Sequence, residues 1–194
     1  MMRDQPFKYG KQIERDFAEA LLFYNKDVAY VRDSDKDEDI DSHFDKVFKN
    51  TTNNKMFSVD VKSPSQYGDD YFWVEDMAVF ARNQHGKPRL GSIHGKADWM
   101  AWKMSDHFLM VRRTYLLRLM QTKVDKSAPL MEFSAKKDPN LYLYKYRGRV
   151  DYKTKQERGD RCSLFCIHDL DEKHFRKIPI LEKEETENFI NELF

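Results

Sequence analysis

The sequence predicts a mixed α/β layer domain. An amphipathic helical stretch leads the chain, short apolar runs with strand periodicity fill its middle, and helical spacing returns after residue 111. In the first helix, expected over residues 10–25 (GKQIERDFAEALLFYN), Ile13, Phe17, Ala20, Leu21 and Tyr24 fall on one side, while Lys11, Arg15 and Glu19 point elsewhere. DVAYVR (27–32) reads as a short strand running into DSDKDEDID (33–41), whose like charges repel and favour a solvated loop. Asp33, Asp35 and Asp37 alternate there as in the opening of an EF-hand. Glu38 stands where the loop glycine is needed and Phe44 where the bidentate glutamate is, which excludes that calcium site.

FDKVFK (44–49) and MFSVDVK (56–62) flank the Asn/Thr-rich turn NTTNNK and predict a hairpin. SPSQYGDD is a loop carrying Pro64 and Gly68, and YFWVEDMAVFA (71–81) is a further apolar strand ended by the turn NQHGKP. LGSIHGK leads into ADWMAWKM (97–104) and HFLMV (107–111), after which RRTYLLRLMQTK (112–123) carries Tyr115, Leu116, Leu119 and Met120 at helical spacing. LYLYKYR (141–147) and RCSLFCIH (161–168) read as strands separated by the charged loop DYKTKQERGD. EKEETENFINELF predicts a C-terminal helix with Phe189, Ile190 and Leu193 on one side. With no repeat and no linker, the expectation is one domain over residues 1–194, with 125–194 as a C-terminal extension.

Composition narrows the function classes. Hydrophobic residues make up 40% of the chain and aromatic residues 14%, which excludes a disordered protein. No stretch approaches the roughly 20 apolar residues of a membrane span, and the N-terminus MMRDQPFKYG has no signal-peptide core, so no membrane partner is expected. With only Cys162 and Cys166, a disulfide framework is not expected, and the chain reads as a reduced, cytoplasmic protein. Net charge is +1, so any nucleic-acid binding must rest on a local basic surface.

FSVDVKS (57–63) sets Asp60 and Lys62 within an apolar run. Strand alternation puts Phe57, Val59 and Val61 on one face and Ser58, Asp60 and Lys62 on the other, so the charged pair is expected to point away from the apolar face. Asp45 stands at the start of the preceding strand of the hairpin, where it can approach Asp60. Two neighbouring carboxylates repel, and a hard divalent cation with oxygen ligands resolves the repulsion. Mg²⁺, which takes few carboxylates and keeps its waters, suits an Asp pair better than a Ca²⁺ cage does. Lys62 then supplies a point charge beside the metal, and Glu14 lies one step round from the apolar face of the first helix. Asp39 or Asp41 is the alternative source of the first acid.

YGKQIERDFAEALL (9–22), DSHFDKVF (41–48) and FSVDVKSPS (57–65) together resemble the signature of the PD-(D/E)xK, restriction-endonuclease-like nucleases. The motif order is similar to that of the archaeal Holliday-junction-resolvase branch and of small phage-encoded nucleases; it covers about residues 9–65, and over 71–120 only the order of strands and helix is compatible. The resemblance implies a restriction-endonuclease-like core, a mixed central β-sheet flanked by helices. It implies Asp45 and Asp60 as metal ligands together with the backbone carbonyl of Val61, Lys62 as the catalytic lysine, and Glu14 as an accessory metal or water ligand. The implied reaction is hydrolysis of DNA phosphodiester bonds with Mg²⁺ or Mn²⁺, leaving a 5′-phosphate, with branched or junction DNA as a candidate substrate. Junction resolution takes two coordinated cuts and so implies a homodimer. Phe44 stands where many members have proline. The alternative is a non-catalytic DNA- or protein-binding accessory protein, of phage or mobile-element type, on the same fold.

Glu75 and Asp98 are further candidate acids near the metal, and His94 reads as a solvent-face residue. For nucleic-acid contact the candidates are Arg112, Arg113 and Arg118 on the later helix, with Lys145, Arg147 and Arg149 on one strand face. Tyr142, Tyr144 and Tyr146 alternate onto the opposite face and read as core. Cys162, Cys166, His168 and His174 do not match a zinc-finger spacing and read as buried thiols with unrelated histidines.

Overall fold

Four of the five apolar positions on one side of the first helix are buried, and they determine where that helix lies. The helix, α1 (Gln5–Tyr24), starts five residues before the expected position and includes Gly10 in its interior. The computed structural model describes residues 5–35, 38–64, 68–78, 89–128, 144–147 and 159–182. They form ten strands: β1 (Val28–Asp33), β2 (Lys46–Asn50), β3 (Met56–Lys62), β4 (Tyr71–Ala78), β5 (Arg89–Leu90), β6 (Trp99–Lys103), β7 (His107–Arg112), β8 (Tyr144–Arg147), β9 (Gly159–Cys166) and β10 (Phe175–Pro179). A second helix, α2, spans Arg113–Lys123.

The strands divide into two sheets belonging to two compact units. In the first unit the order is β1-β2-β3-β6-β7-β10. Every pair is antiparallel except β3 with β6, which run parallel from Val59↔Trp99 to Lys62↔Trp102. The sheet is thus mixed, and the chain is α/β as expected. The hairpin β2–β3 forms in the register Lys46↔Val59 to Lys49↔Met56, and its turn places Asn54 at φ 60°, a conformation asparagine tolerates.

Helix α1 covers one face of this sheet. Ile13, Phe17, Ala20 and Leu21 pack with Phe48, Val59, Ala101, Phe108, Met110 and Ile178. Phe17 meets Phe48 and Phe108 edge-on at 6.1 and 5.3 Å, and Phe48 stacks on Phe57 at 5.5 Å. Tyr24, expected on the apolar stripe, is 40% exposed as the last residue of α1, beyond Leu21, the final core residue of the helix.

In the second unit the order is β5-β4-β9-β8, all antiparallel. Phe72 and Val74 of β4 and Leu164 and Phe165 of β9 are buried, with Phe72 and Phe165 stacked at 6.0 Å. Tyr115, Leu116 and Met120 are the buried side of α2. Gly91 lies so close to β4 that an added Cβ would come within 2.4 Å of the Glu75 carbonyl oxygen, and its N–H donates to the Asp76 carbonyl at 2.9 Å.

Three expectations need correction. Residues 125–194 were expected to form an extension, yet β8 and β9 pair into one sheet and β10 closes the edge of the other, because β7 offers Phe175–Pro179 an unpaired antiparallel partner. The acid-rich run is not entirely loop: Glu38–Ser42 forms a helical turn. Arg32 holds Glu38 through two contacts at 2.5 and 2.7 Å, and Asp35 and Glu38 exchange backbone–carboxylate hydrogen bonds as a capping pair at 2.8 and 3.0 Å. The strand expected over 161–168 ends at Cys166, and His168 falls on a short 3₁₀ turn. The expected C-terminal helix lies outside the described residues, as do Tyr142 and Arg149.

Candidate active site

Pairing of β2 with β3 brings Asp45 beside Asp60. Asp45 immediately precedes β2; its N–H donates to the Val59 carbonyl at 2.9 Å, and its Oδ2 accepts from the Val61 N–H at 2.7 Å. One aspartate therefore bonds the backbone on both sides of Asp60. On β3, Lys62 Nζ lies 2.7 Å from Asp60 Oδ2, the same-face ion pair that alternation predicts. His43, two residues before Asp45, sits at φ 51°, an uncommon conformation for a side-chain-bearing residue.

Alternation did not reveal burial. Val59 is fully buried on the α1 face as expected, but Asp60 is only 4% exposed and Asp45 8%. Asp60 thus shares the face opposite Val59, as alternation expects, but is buried there, while the Lys62 side chain remains partly exposed. Burial first, and then the Asp60 charge, push the Asp45 carboxyl up to about 7, against which the Val61 N–H and Lys62 act. Asp39 adds to that repulsion, while the Asp41 side chain lies outside the described residues.

Glu14 is also buried. Its carboxylate accepts from Lys11 Nζ at 2.9 Å and lies 3.7 Å from Lys46 Nζ, which also pairs with Asp33. Burial raises the Glu14 carboxyl above its ordinary range, and Asp45 adds to the rise. Among the described residues, no group of three or more His, Cys, Asp or Glu side chains gathers on one metal position, so Glu14 stands near the Asp45–Asp60 pair without joining it in a three-carboxylate cluster. Lys46 is the residue that sequence reasoning missed. It alternates onto the α1 face with Phe48, and a buried lysine there implies nearby acids; the missing information was which acids the fold would supply.

The two aspartates nevertheless suit a hard cation. They are adjacent oxygen donors beside one lysine, and the Asp60 charge adds to burial in raising the Asp45 carboxyl. Asp45, Asp60 and the Val61 carbonyl are the groups that would hold Mg²⁺ or Mn²⁺.

The remaining candidate acids divide between the two units, Asp98 in the first and Glu75 in the second. Asp98 clamps the start of β6 to β3: its Oδ2 accepts from the Ser58 N–H at 2.8 Å and the Ser58 hydroxyl at 3.1 Å, and its own N–H donates to the Ser58 carbonyl at 3.1 Å. Glu75 lies on β4 opposite Cys162 in the second unit. His94, expected to face solvent, instead meets the buried Asp76 at 3.0 Å, and Lys126 meets the same oxygen at 2.8 Å. Among the basic candidates only Arg112 belongs to the first unit; Arg113, Arg118, Lys145 and Arg147 belong to the second. Arg113 donates to the Ile93 carbonyl at 3.1 Å and Arg118 lies over the Tyr115 ring, so both have local structural partners. Cys162 is buried, as expected of a core thiol, whereas Cys166 is only half-buried; the two form no disulfide.

No family model, curated protein or solved structure matches this chain. No helix among the described residues is long and apolar enough to cross a membrane.

Proposed function

We propose that the protein is a metal-dependent endonuclease that hydrolyses DNA phosphodiester bonds, on a restriction-endonuclease-like core. The observation that carries this reading is the pair of adjacent buried aspartates, one with its carboxyl raised to about 7, beside a lysine on the same strand face. Buried like charges cost stability, and a carboxylate pair retained at that cost fits a binding role. Asp45 and Asp60, with the Val61 carbonyl, would hold the cation, which when bound would supply Lewis-acid stabilisation of a phosphoryl oxygen and a more acidic water. Asp45 also bonds the Val61 N–H, which keeps the backbone beside Asp60 in place. Lys62, at 2.7 Å from Asp60, orients the attacking water and offsets charge that develops on the phosphate. Glu14, held by Lys11 and Lys46, sets the local field as a positioning residue.

The test is incubation with linear, nicked and four-way-junction DNA, with Mg²⁺ or Mn²⁺, alongside Asp60→Ala and Lys62→Ala. Metal-dependent cleavage abolished by both substitutions is expected. Absence of cleavage on every substrate, or cleavage that survives both changes, overturns the reading. Junction DNA cut in two strands, with a dimer by sedimentation, is the result expected for the resolvase-like form of this activity.

One observation favours a second reading, a non-catalytic DNA- or protein-binding accessory protein. Glu14 is committed to two lysines and Lys62 to Asp60, as in a site stabilised by internal ion pairs. Binding of DNA without cleavage in any metal selects it.

A further inference from the structure

Where α1 ends at Tyr24, the sheet face it covers continues and leaves a groove of about 610 Å³. Its walls are the last turn of α1, the beginnings of β3 and β6, the end of β7 and strand β10, all in the first unit. The volume falls within the roughly 300–1,000 Å³ of small-ligand sites. Trp99 lies in it with the Arg112 guanidinium 4.5 Å from the ring centroid, a stacked cation–aromatic pair, and the 40% exposed Tyr24 borders the opening.

The charge of the groove is one-sided. Among the described residues, Lys55, Arg112 and Arg176 line it against a single carboxylate, Asp98; Lys177 also borders it, but strand alternation turns it to the other face, where its charge acts on Asp106. That carboxylate accepts from the Ser58 N–H and hydroxyl and so is already engaged with β3. Arg176 Nη1 donates to the Phe175 carbonyl at 2.7 Å, which restrains its guanidinium before any ligand arrives. Register puts Arg112, Trp99 and Val59 on one face of the sheet, so the groove opens on the α1 face, whereas Asp60 points to the other.

We propose that this groove is a binding site for a nucleoside phosphate, with the base stacked on the Arg112–Trp99 pair and the phosphate held by Arg176 and Lys55. Guanidinium planes and aromatic rings stack on bases, and exposed guanidinium and ammonium groups attract phosphate. Duplex DNA keeps its bases stacked inside and cannot present one to such a groove. The ligand is therefore a free nucleotide or one unit of a single strand. The site is separate from the carboxylate pair and does not depend on the nuclease reading.

Binding is measured in EDTA, so that no cleavage intervenes, by calorimetry with adenosine 5′-monophosphate and by anisotropy with a short fluorescein-labelled oligothymidylate. Wild type is expected to bind at least one probe. Arg112→Ala with Arg176→Ala is expected to lower that affinity by about tenfold or more, as loss of charge-assisted contacts does. Arg176→Gln alone, at an exposed position and with unchanged melting temperature, weakens it several-fold. Oligothymidylate displaced by the mononucleotide assigns the site to free nucleotide; oligothymidylate bound but not displaced assigns it to a strand unit. Wild type that binds neither probe, or arginine variants that bind as wild type does, overturns the proposal.

Discussion

At Asp45, burial and the neighbouring Asp60 push the carboxyl up to about 7, from an ordinary value of 3.8. The folded chain therefore holds this proton more tightly than the unfolded chain does. The resulting stability is complete below about pH 4 and is lost as pH rises through 7. In EDTA, wild type is expected to lose on the order of 3 kcal/mol from this group between about pH 4 and pH 8. Asp45→Asn can still accept from the Val61 N–H and has no charge to lose, so it should escape that decline. Urea denaturation of both proteins at about pH 5 and pH 8 measures it; a wild-type-to-variant difference independent of pH would sink the argument. The sequence revealed the identities of Asp45, Asp60 and Lys62 because hairpin pairing and alternation are local. It did not reveal that Asp60 is buried or that Glu14 answers to Lys46, since both depend on elements far apart in the chain.

For elements, the periodicity of α1 and the hairpin around NTTNNK were legible, and both occur with boundaries within a few residues of expectation, except that α1 begins at Gln5. Gly10 suggested a helix start and is instead interior, with nothing within 4 Å of an added Cβ. Gly10→Ala should therefore raise stability by about 0.5–1 kcal/mol, through the backbone entropy that glycine loses on folding. Chemical denaturation reads this directly, and a destabilised variant would mean that the backbone at this position needs glycine's freedom. Strand β10 was not legible. FRKIP is short, charged and ended by proline, so only its pairing with β7 makes it a strand.

For the molecule as a whole, the two sheets draw on interleaved stretches of chain: 1–68, 96–112 and 171–194 in one unit, 69–95 and 113–170 in the other. No composition shift announces such crossings, which is why the chain read as one domain with an extension. In the first sheet β3 and β6 are central and joined in parallel, with Val59, Met100 and Ala101 fully buried. Amide exchange should accordingly be slowest in β3 and β6 and fastest at the edge strands β1 and β10. Hydrogen exchange followed by mass spectrometry checks the order, and early exchange of β6 would contradict the topology.

By itself the sequence determined which residues share a helix side or a strand face, and with that the core stripe of α1 and the Asp60–Lys62 pair. Such periodicities follow from backbone geometry within a few residues. Only the tertiary structure decided that Asp45 bonds the Val61 N–H beside a buried Asp60, that Asp98 serves β3 rather than the carboxylate pair, and that a cationic groove opens beyond Tyr24. Those outcomes depend on which distant segments pair and what covers them, and local spacing carries no record of either.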